Sequence, residues 1–224
     1  MNYYTELPVF EQLAKHYFIT ERMSLGLAGL WRSWCLKYAE LRHGDHVLDL
    51  MCGDARIWPE IESRIGKKGK ITGLDYCEEM LDQLPTKYKR QVSCRPFQEN
   101  GLPSASMDTV VSMFGLKTLC STEIEHLMVE VNRVLKVGGR FALLELKMPQ
   151  NIFMKSLVKL QLRLFKTIAS LFCPDKKSSV THLETYMERF SKTNYTTFYS
   201  TGTITTQTKS LFGGLLLVVY GRKL

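Results

Sequence analysis

The sequence predicts an α/β domain built on a mainly parallel sheet. Three observations carry that prediction. Apolar strand patterns alternate with amphipathic helical ones through the middle of the chain. The first strand ends in an acid and runs straight into a tight turn, Met51-Cys52-Gly53-Asp54, and the second ends in another acid, Asp75. At 224 residues, 45% of them hydrophobic and 23% charged, the chain is long enough for one domain that buries roughly 70% of its unfolded surface without a disulfide or metal staple. It is too apolar to be disordered, collagen-like or low-complexity.

Each element follows in order. Val47-Leu48-Asp49-Leu50 is a short apolar run that turns into a helix carrying Ile57, Ile61 and Ile65 on one face, with Pro59 in its first turn and Gly66 as its stop. Lys70 to Asp75 is the second strand. The short helix after it turns Met80, Leu81 and Leu84 inward and closes at Pro85. Met107 to Met113 reads as a further strand. The clearest helix begins at Thr122, whose hydroxyl caps it while Glu125 completes a capping box. Its apolar positions, Ile124, Leu127, Met128, Val131 and Leu135, follow helical spacing up to Gly138-Gly139. Arg140 to Leu146 returns as a buried strand. Beyond residue 150 lies a long basic amphipathic stretch, and the chain closes with β-prone segments and a final strand, Leu215 to Tyr220, whose pairing periodicity does not settle.

Composition narrows the function. The six cysteines (35, 52, 77, 94, 120, 173) contain no Cys-x-x-Cys pair and read as reduced thiols of a cytoplasmic protein, with no zinc site. No apolar run approaches ~18 residues, which excludes a spanning helix, and the first residues lack the basic and apolar regions of a secretory signal. Thirty Lys and Arg against 22 Asp and Glu give a formal charge of +8, which favours anionic partners without choosing among them. Nucleic acid is disfavoured, because the clusters Lys67-Lys68-x-Lys70 and Lys87-x-Lys89-Arg90 lack the interleaved stacking aromatics of an RNA platform.

In an open parallel sheet, ligands bind beyond the carboxyl ends of the strands where strand order reverses. Asp49, the bend Met51-Cys52-Gly53, and Asp75 all lie there. Gly53 permits close backbone approach, and the following helix start offers free amides. A dinucleotide fingerprint and a P-loop are both absent. A smaller adenosyl ligand with an amino-acid tail fits better: its ammonium suits Asp49 and its ribose hydroxyls suit Asp75. Read separately, Asp49 is an ordinary strand-end acid and Asp75 a helix cap; read as a pair around a turn glycine, they make a binding site.

The order Val47-Leu48-Asp49-Leu50-Met51-Cys52-Gly53, Thr72 to Leu81, then Arg133-Val134-Leu135-Lys136-Val137-Gly138-Gly139-Arg140 resembles class I S-adenosylmethionine-dependent methyltransferases. Phe10, Ala14, Tyr17, Met23-Ser24-x-Gly26 and Trp31, together with Phe114-Gly115-Leu116-Lys117-Thr118, Leu144 to Pro149 and the ending Gly213 to Lys223, are similar to the ubiquinone/menaquinone biosynthesis C-methyltransferase family. The resemblance implies a Rossmann-like fold with a seven-stranded, mostly parallel sheet, an antiparallel last strand and an N-terminal helical cap. It is read as one domain: cap 1–44, cofactor-binding core 45–149, helical insertion or lid 150–185, C-terminal strands 186–224.

The implied cofactor is S-adenosylmethionine, held by Asp49, Met51, Cys52, Gly53, Asp75, Tyr76, Gln98 and Phe114. Gln98 aligns with the family's acid at the adenine amino group. The implied reaction is C-methylation of a quinol-type acceptor, prenylated or not; O- or N-methylation of another metabolite and a degenerate cofactor-binding partner subunit are the alternatives. The family's first turn glycine is Met51 here, whose side chain should crowd the pocket unless the backbone avoids positive φ, and its Arg-Asn pair is Lys117-Thr118. Lys117 is the candidate cation that stabilises a phenolate, weighed against a solvated surface lysine; Tyr17 and His16 are second candidates. Trp31 and Trp34 read as core aromatics. Glu145 either faces the acceptor or pairs with Lys147 or another neighbour. In 151–173, Lys155, Lys159, Arg163 and Lys166 form a basic face and Phe153, Leu157, Leu160, Leu164, Ile168 and Leu171 fill others. That is either a lid helix with a solvated basic face or a peripheral membrane contact.

Overall fold

The computed structural model describes residues 11, 24, 26–172, 179–193 and 203–224. Seven strands form one sheet in the order β3-β2-β1-β4-β5-β7-β6: β1 His46–Leu50, β2 Lys70–Asp75, β3 Val92–Cys94, β4 Met107–Met113, β5 Leu135–Leu146, β6 Ile204–Leu211 and β7 Leu216–Lys223. The first five pair in parallel; β7 runs antiparallel to β5 and to β6, as expected for the close of the chain. Strand order reverses between β1 and β4, so the carboxyl ends of β1, β2 and β4 open on one crevice.

The central strands are apolar along their length because both faces are covered. Leu48, Leu50, Val110, Phe141 and Leu143 face α4, Ser121–Val134, which presents Ile124, Leu127, Met128 and Val131 to them. Val47, Val111, Ala142, Leu144 and Val218 face the other way, onto Trp31, Cys35, Leu36 and Ala39 of α1 (Leu27–Ala39) and Trp58, Ile61 and Ile65 of α2 (Trp58–Ile65). A short helix α3, Glu78–Leu81, follows β2, with Met80, Leu81 and Leu84 buried as expected. At the amino ends of the strands a buried Arg140–Asp45 ion pair, joined by Thr109, ties β1, β4 and β5 together. The long helix α5, Ile152–Phe172, and α6, Ser179–Ser191, pack on each other through Val158, Leu162 and Met187.

Three expectations are corrected. α4 begins at Ser121, not Thr122, because Cys120 is its N-cap: the Cys120 N–H donates to Glu123 Oε2 at 2.6 Å, so the reciprocal carboxylate is Glu123 instead of Glu125. Leu135 leaves the helix and opens β5 opposite Met107, and the strand runs on through Gly138 and Gly139. Trp34 is no core residue; it is exposed and stacks on Phe212 at 5.1 Å between ring centroids.

Candidate functional site

The bend after β1 is laced to the end of β2 by backbone amides. Asp75 accepts the Gly53 N–H on Oδ2 at 2.8 Å and the Cys77 N–H on Oδ1 at 3.0 Å, and the Cys52 N–H donates to the Leu74 carbonyl. Asp75 thus fixes the bend, and its two oxygens can accept more hydrogen bonds than the neighbouring amides supply. Asp49 is held from the opposite side, its Oδ2 accepting the Trp58 indole N–H at 2.8 Å. That indole sits where Gly73 leaves room: a Cβ there would meet Trp58 at 2.7 Å. Burial pushes the Asp49 carboxyl up to about 7, with Asp75 adding to the rise and the Trp58 hydrogen bond and the Arg32 guanidinium opposing it. Burial also raises Asp75, against the amides it accepts. Two buried carboxylates side by side make a site that favours a cation.

The bend takes a left-handed backbone at Met51 (φ 56°), Gly53 (φ 54°) and Ala55 (φ 57°). Met51 therefore does not avoid the positive φ that glycine would adopt without strain. Its thioether is accommodated by Gly115, where an added Cβ would lie 2.5 Å from Met51 Sδ.

These groups line a cavity of about 240 Å³. At its acidic end lie Asp49, Met51, Cys52, Gly53, Asp75 and Tyr76; its other walls include Trp31, Phe114, Val158 and Leu162. Of the residues expected from sequence, these acids, the bend, Tyr76, Phe114 and Lys117 are brought together. Gln98 is not: the turn Phe97–Glu99 buries Phe97 in the core and turns Gln98 to solvent, outside the residues lining the cavity. Tyr17 and His16 lie outside the described residues.

Lys117 is not a solvated surface lysine. It is buried, its Nζ 3.2 Å from Glu145 Oε1 and donating also to the Phe114 carbonyl. Glu145, fully buried, pairs with a neighbour, Lys117; it also accepts the backbone N–H groups of Lys117 (2.8 Å) and Leu146 (2.6 Å). From α6, Arg189 donates to the carbonyls of Lys117 and Thr118.

One residue of the site was missed. Arg32 is buried, lines the cavity and lies 5.1 Å over the Phe114 ring. Its signal is a lone arginine on the inward stripe of α1, among Ala28, Cys35, Leu36 and Ala39. The donor set suits the expected adenosyl ligand: carboxylates for an ammonium and a ribose diol, and a guanidinium for a carboxylate tail.

The chain is 29% identical to a demethylmenaquinone methyltransferase of Lactobacillus johnsonii over 73% of its length and 69% of that protein. It is 27% identical to a demethylmenaquinone methyltransferase of Desulfitobacterium hafniense over 96% and 88%. In fold it is similar to a SAM-dependent methyltransferase of Thermotoga maritima, with a TM-score of 0.61 at 18% identity and 96% and 99% coverage, and to one of Aquifex aeolicus, with a TM-score of 0.52 at 19% identity and 84% and 87% coverage. Residues 5–223 match the ubiE/COQ5 methyltransferase family, and with that match the chain, whose cavity holds two acids at the switch point of a seven-stranded sheet, belongs to that family of S-adenosylmethionine-dependent enzymes.

Proposed function

We propose that this enzyme methylates a ring carbon of a quinol that carries an apolar tail. The observation that carries the reading is the continuity of the cavity from the Asp49–Asp75 end to the apolar walls of Trp31, Phe114, Val158 and Leu162. The names of the Lactobacillus and Desulfitobacterium relatives support the acceptor class.

S-adenosylmethionine, when bound, supplies an electrophilic methyl group on a sulfonium. What the chain supplies is alignment, exclusion of water and an electron-rich acceptor. Asp75 would accept from the ribose hydroxyls through the lone pairs its two amides leave. Asp49 would pair with the ammonium and Arg32 with the carboxylate of the methionine tail. Met51, Cys52 and Gly53 would border the tail, with Tyr76 and Phe114 as the aromatic walls. A quinol ring carbon becomes nucleophilic when its neighbouring hydroxyl loses a proton. Lys117, held by Glu145 and the Phe114 carbonyl, has a third N–H beyond those given to them and would hold the resulting phenolate.

The test is calorimetry with S-adenosylhomocysteine, followed by transfer of a labelled methyl group to a tail-less naphthoquinol, with the product's methyl position read by mass spectrometry. A C-methylated ring is expected. Binding without transfer to any acceptor would leave a cofactor-binding subunit, and a methylated oxygen or nitrogen would replace the acceptor reading.

A further inference from the structure

Helix α5 is apolar on two opposite faces. Val158 and Leu162 point inward, onto Met148 and Met187. Phe153, Leu157, Leu160 and Leu164, spaced as one stripe, point outward, with Phe153 75% and Leu164 59% exposed. A helix that is apolar all round is normally buried. Among the described residues nothing covers the outer stripe. The helix's basic face is only partly solvated. Lys159 pairs with Glu184 and Glu188 of α6, and Lys166 with Glu184.

The outer stripe is continued by two other elements. On α1, Leu27, Leu30 and Trp34 are exposed along one side. Trp34 stacks on Phe212, itself 40% exposed at the tip of the β6–β7 hairpin. The next residue of that tip, Gly213, abuts Met154 of α5: a Cβ there would lie 3.2 Å from the Met154 side chain. Contact therefore runs unbroken from α1 through Phe212 to α5.

Charge follows the same path. Of the 30 Lys and Arg in the chain, seven fall on α1, α5 and the segment 204–214, which hold none of the 22 Asp and Glu; the remainder is balanced to within one charge. Lys37 lies 5.8 Å over the Trp34 ring, and Lys209 and Arg163 are exposed. An amphipathic surface with exposed Trp and Phe, on which Lys37, Arg163 and Lys209 are exposed, suits the headgroup zone of an anionic bilayer. The surface also adjoins the cavity. Ala28 and Trp31 of α1 and Val158 of α5 line it, and so does Gln161, an exposed residue beside the outer stripe.

We propose that α1, the Phe212 hairpin tip and α5 form one docking surface for an anionic lipid bilayer, set so that a membrane-dissolved acceptor enters the cavity between α1 and α5. This rests on the quinol reading for the acceptor, and on the surface alone for the docking. No described helix is long and apolar enough to cross a membrane, so the contact is interfacial.

The experiment uses the full chain with vesicles of phosphatidylcholine alone or mixed with phosphatidylglycerol. Sedimentation with the anionic vesicles, weakened by salt, is expected. The triple substitution Phe153→Ser, Leu157→Ser, Leu160→Ser should lower that partitioning by about tenfold or more, since three apolar side chains lose their burial. The melting temperature, S-adenosylhomocysteine binding and turnover on a tail-less quinol should not change, while turnover on a tailed quinol in vesicles should fall. Three outcomes overturn the proposal: wild-type chain that stays in the supernatant, partitioning indifferent to the triple substitution, or a lipid-free dimer that the same substitution dissociates, which would assign the face to a second copy. Failure of the tail-less quinol to accept a methyl group, with vesicle binding intact, would instead remove the acceptor reading.

Discussion

The bend between β1 and β2 and the wall made by α1, α5 and α6 solve opposite problems. In the bend every carboxylate oxygen shown to bond is held by a short local contact: Asp75 by two amides, Asp49 by an indole. That half of the site is rigid before any ligand arrives, as a cofactor common to many reactions allows. The wall relies on apolar side chains, many of them long, with the buried Lys117–Glu145 pair and Arg189 of α6 bracing its edge. It can yield to a bulky acceptor. The contrast teaches that the donor end is fixed by hydrogen bonds and the acceptor end by packing.

The sharpest way to break this contrast is Asp75→Ala. It removes the proposed ribose acceptor and both amide contacts of the bend, so S-adenosylhomocysteine affinity should fall by about 3 kcal/mol or more in calorimetry. Unchanged affinity would refute the role of the second strand end. Next comes Lys117→Ala, which strands Glu145 in the core. Thermal unfolding should show a loss of about 3–5 kcal/mol, largely restored by adding Glu145→Gln, because the cost is that of an unpaired buried charge. Turnover should stay low in the double variant if the lysine serves the acceptor.

The smallest effect concerns pH. Asp49 is raised from its ordinary value to about 7. A raised carboxyl favours the folded apo protein most at low pH and gives up that contribution as pH climbs from about 4 to 7. Under the proposed pairing of Asp49 with the ammonium, cofactor affinity has the opposite sign, since that contact needs the ionised form. Affinity should rise several-fold from pH 6 to about 7.5 and fall again as the ligand's own α-amino group deprotonates near 7.7–8.0. Asp49→Asn should flatten the rising limb. Cys52, Asp54, Asp75 and Arg32 line the same cavity; burial holds the Cys52 thiol well above its usual range and also raises Asp75, so the flattening by Asp49→Asn is what assigns the limb to Asp49.

Much of the donor half was legible in the sequence. Strands buried on both faces read as continuous apolar runs, and an acid closing such a run stands out, as Asp49 and Asp75 do. The acceptor half was less so. Lys117 and Glu145 stand 28 residues apart, and only the pairing of β4 with β5 brings them together. Arg32 was hidden because a lone charge on a helix is ordinarily solvated. Gln98 was placed by alignment, but a single turn of 3-10 helix decides which of Phe97 and Gln98 goes inward, and the apolar ring wins. On α5 the periodicity announced a helix, yet two apolar stripes compete for one interior, and Val158 and Leu162 take it only because Met148 and Met187 lie opposite.

Met51 and Gly115 form a matched pair across the crevice, thioether against bare backbone. Position 115 has no room for any side chain, so the width of the gap there is governed from one side alone. The governing group turns about three single bonds, at little energetic cost between rotamers. Where a glycine would leave this gap permanently open, the present chain has fitted it with an adjustable stop.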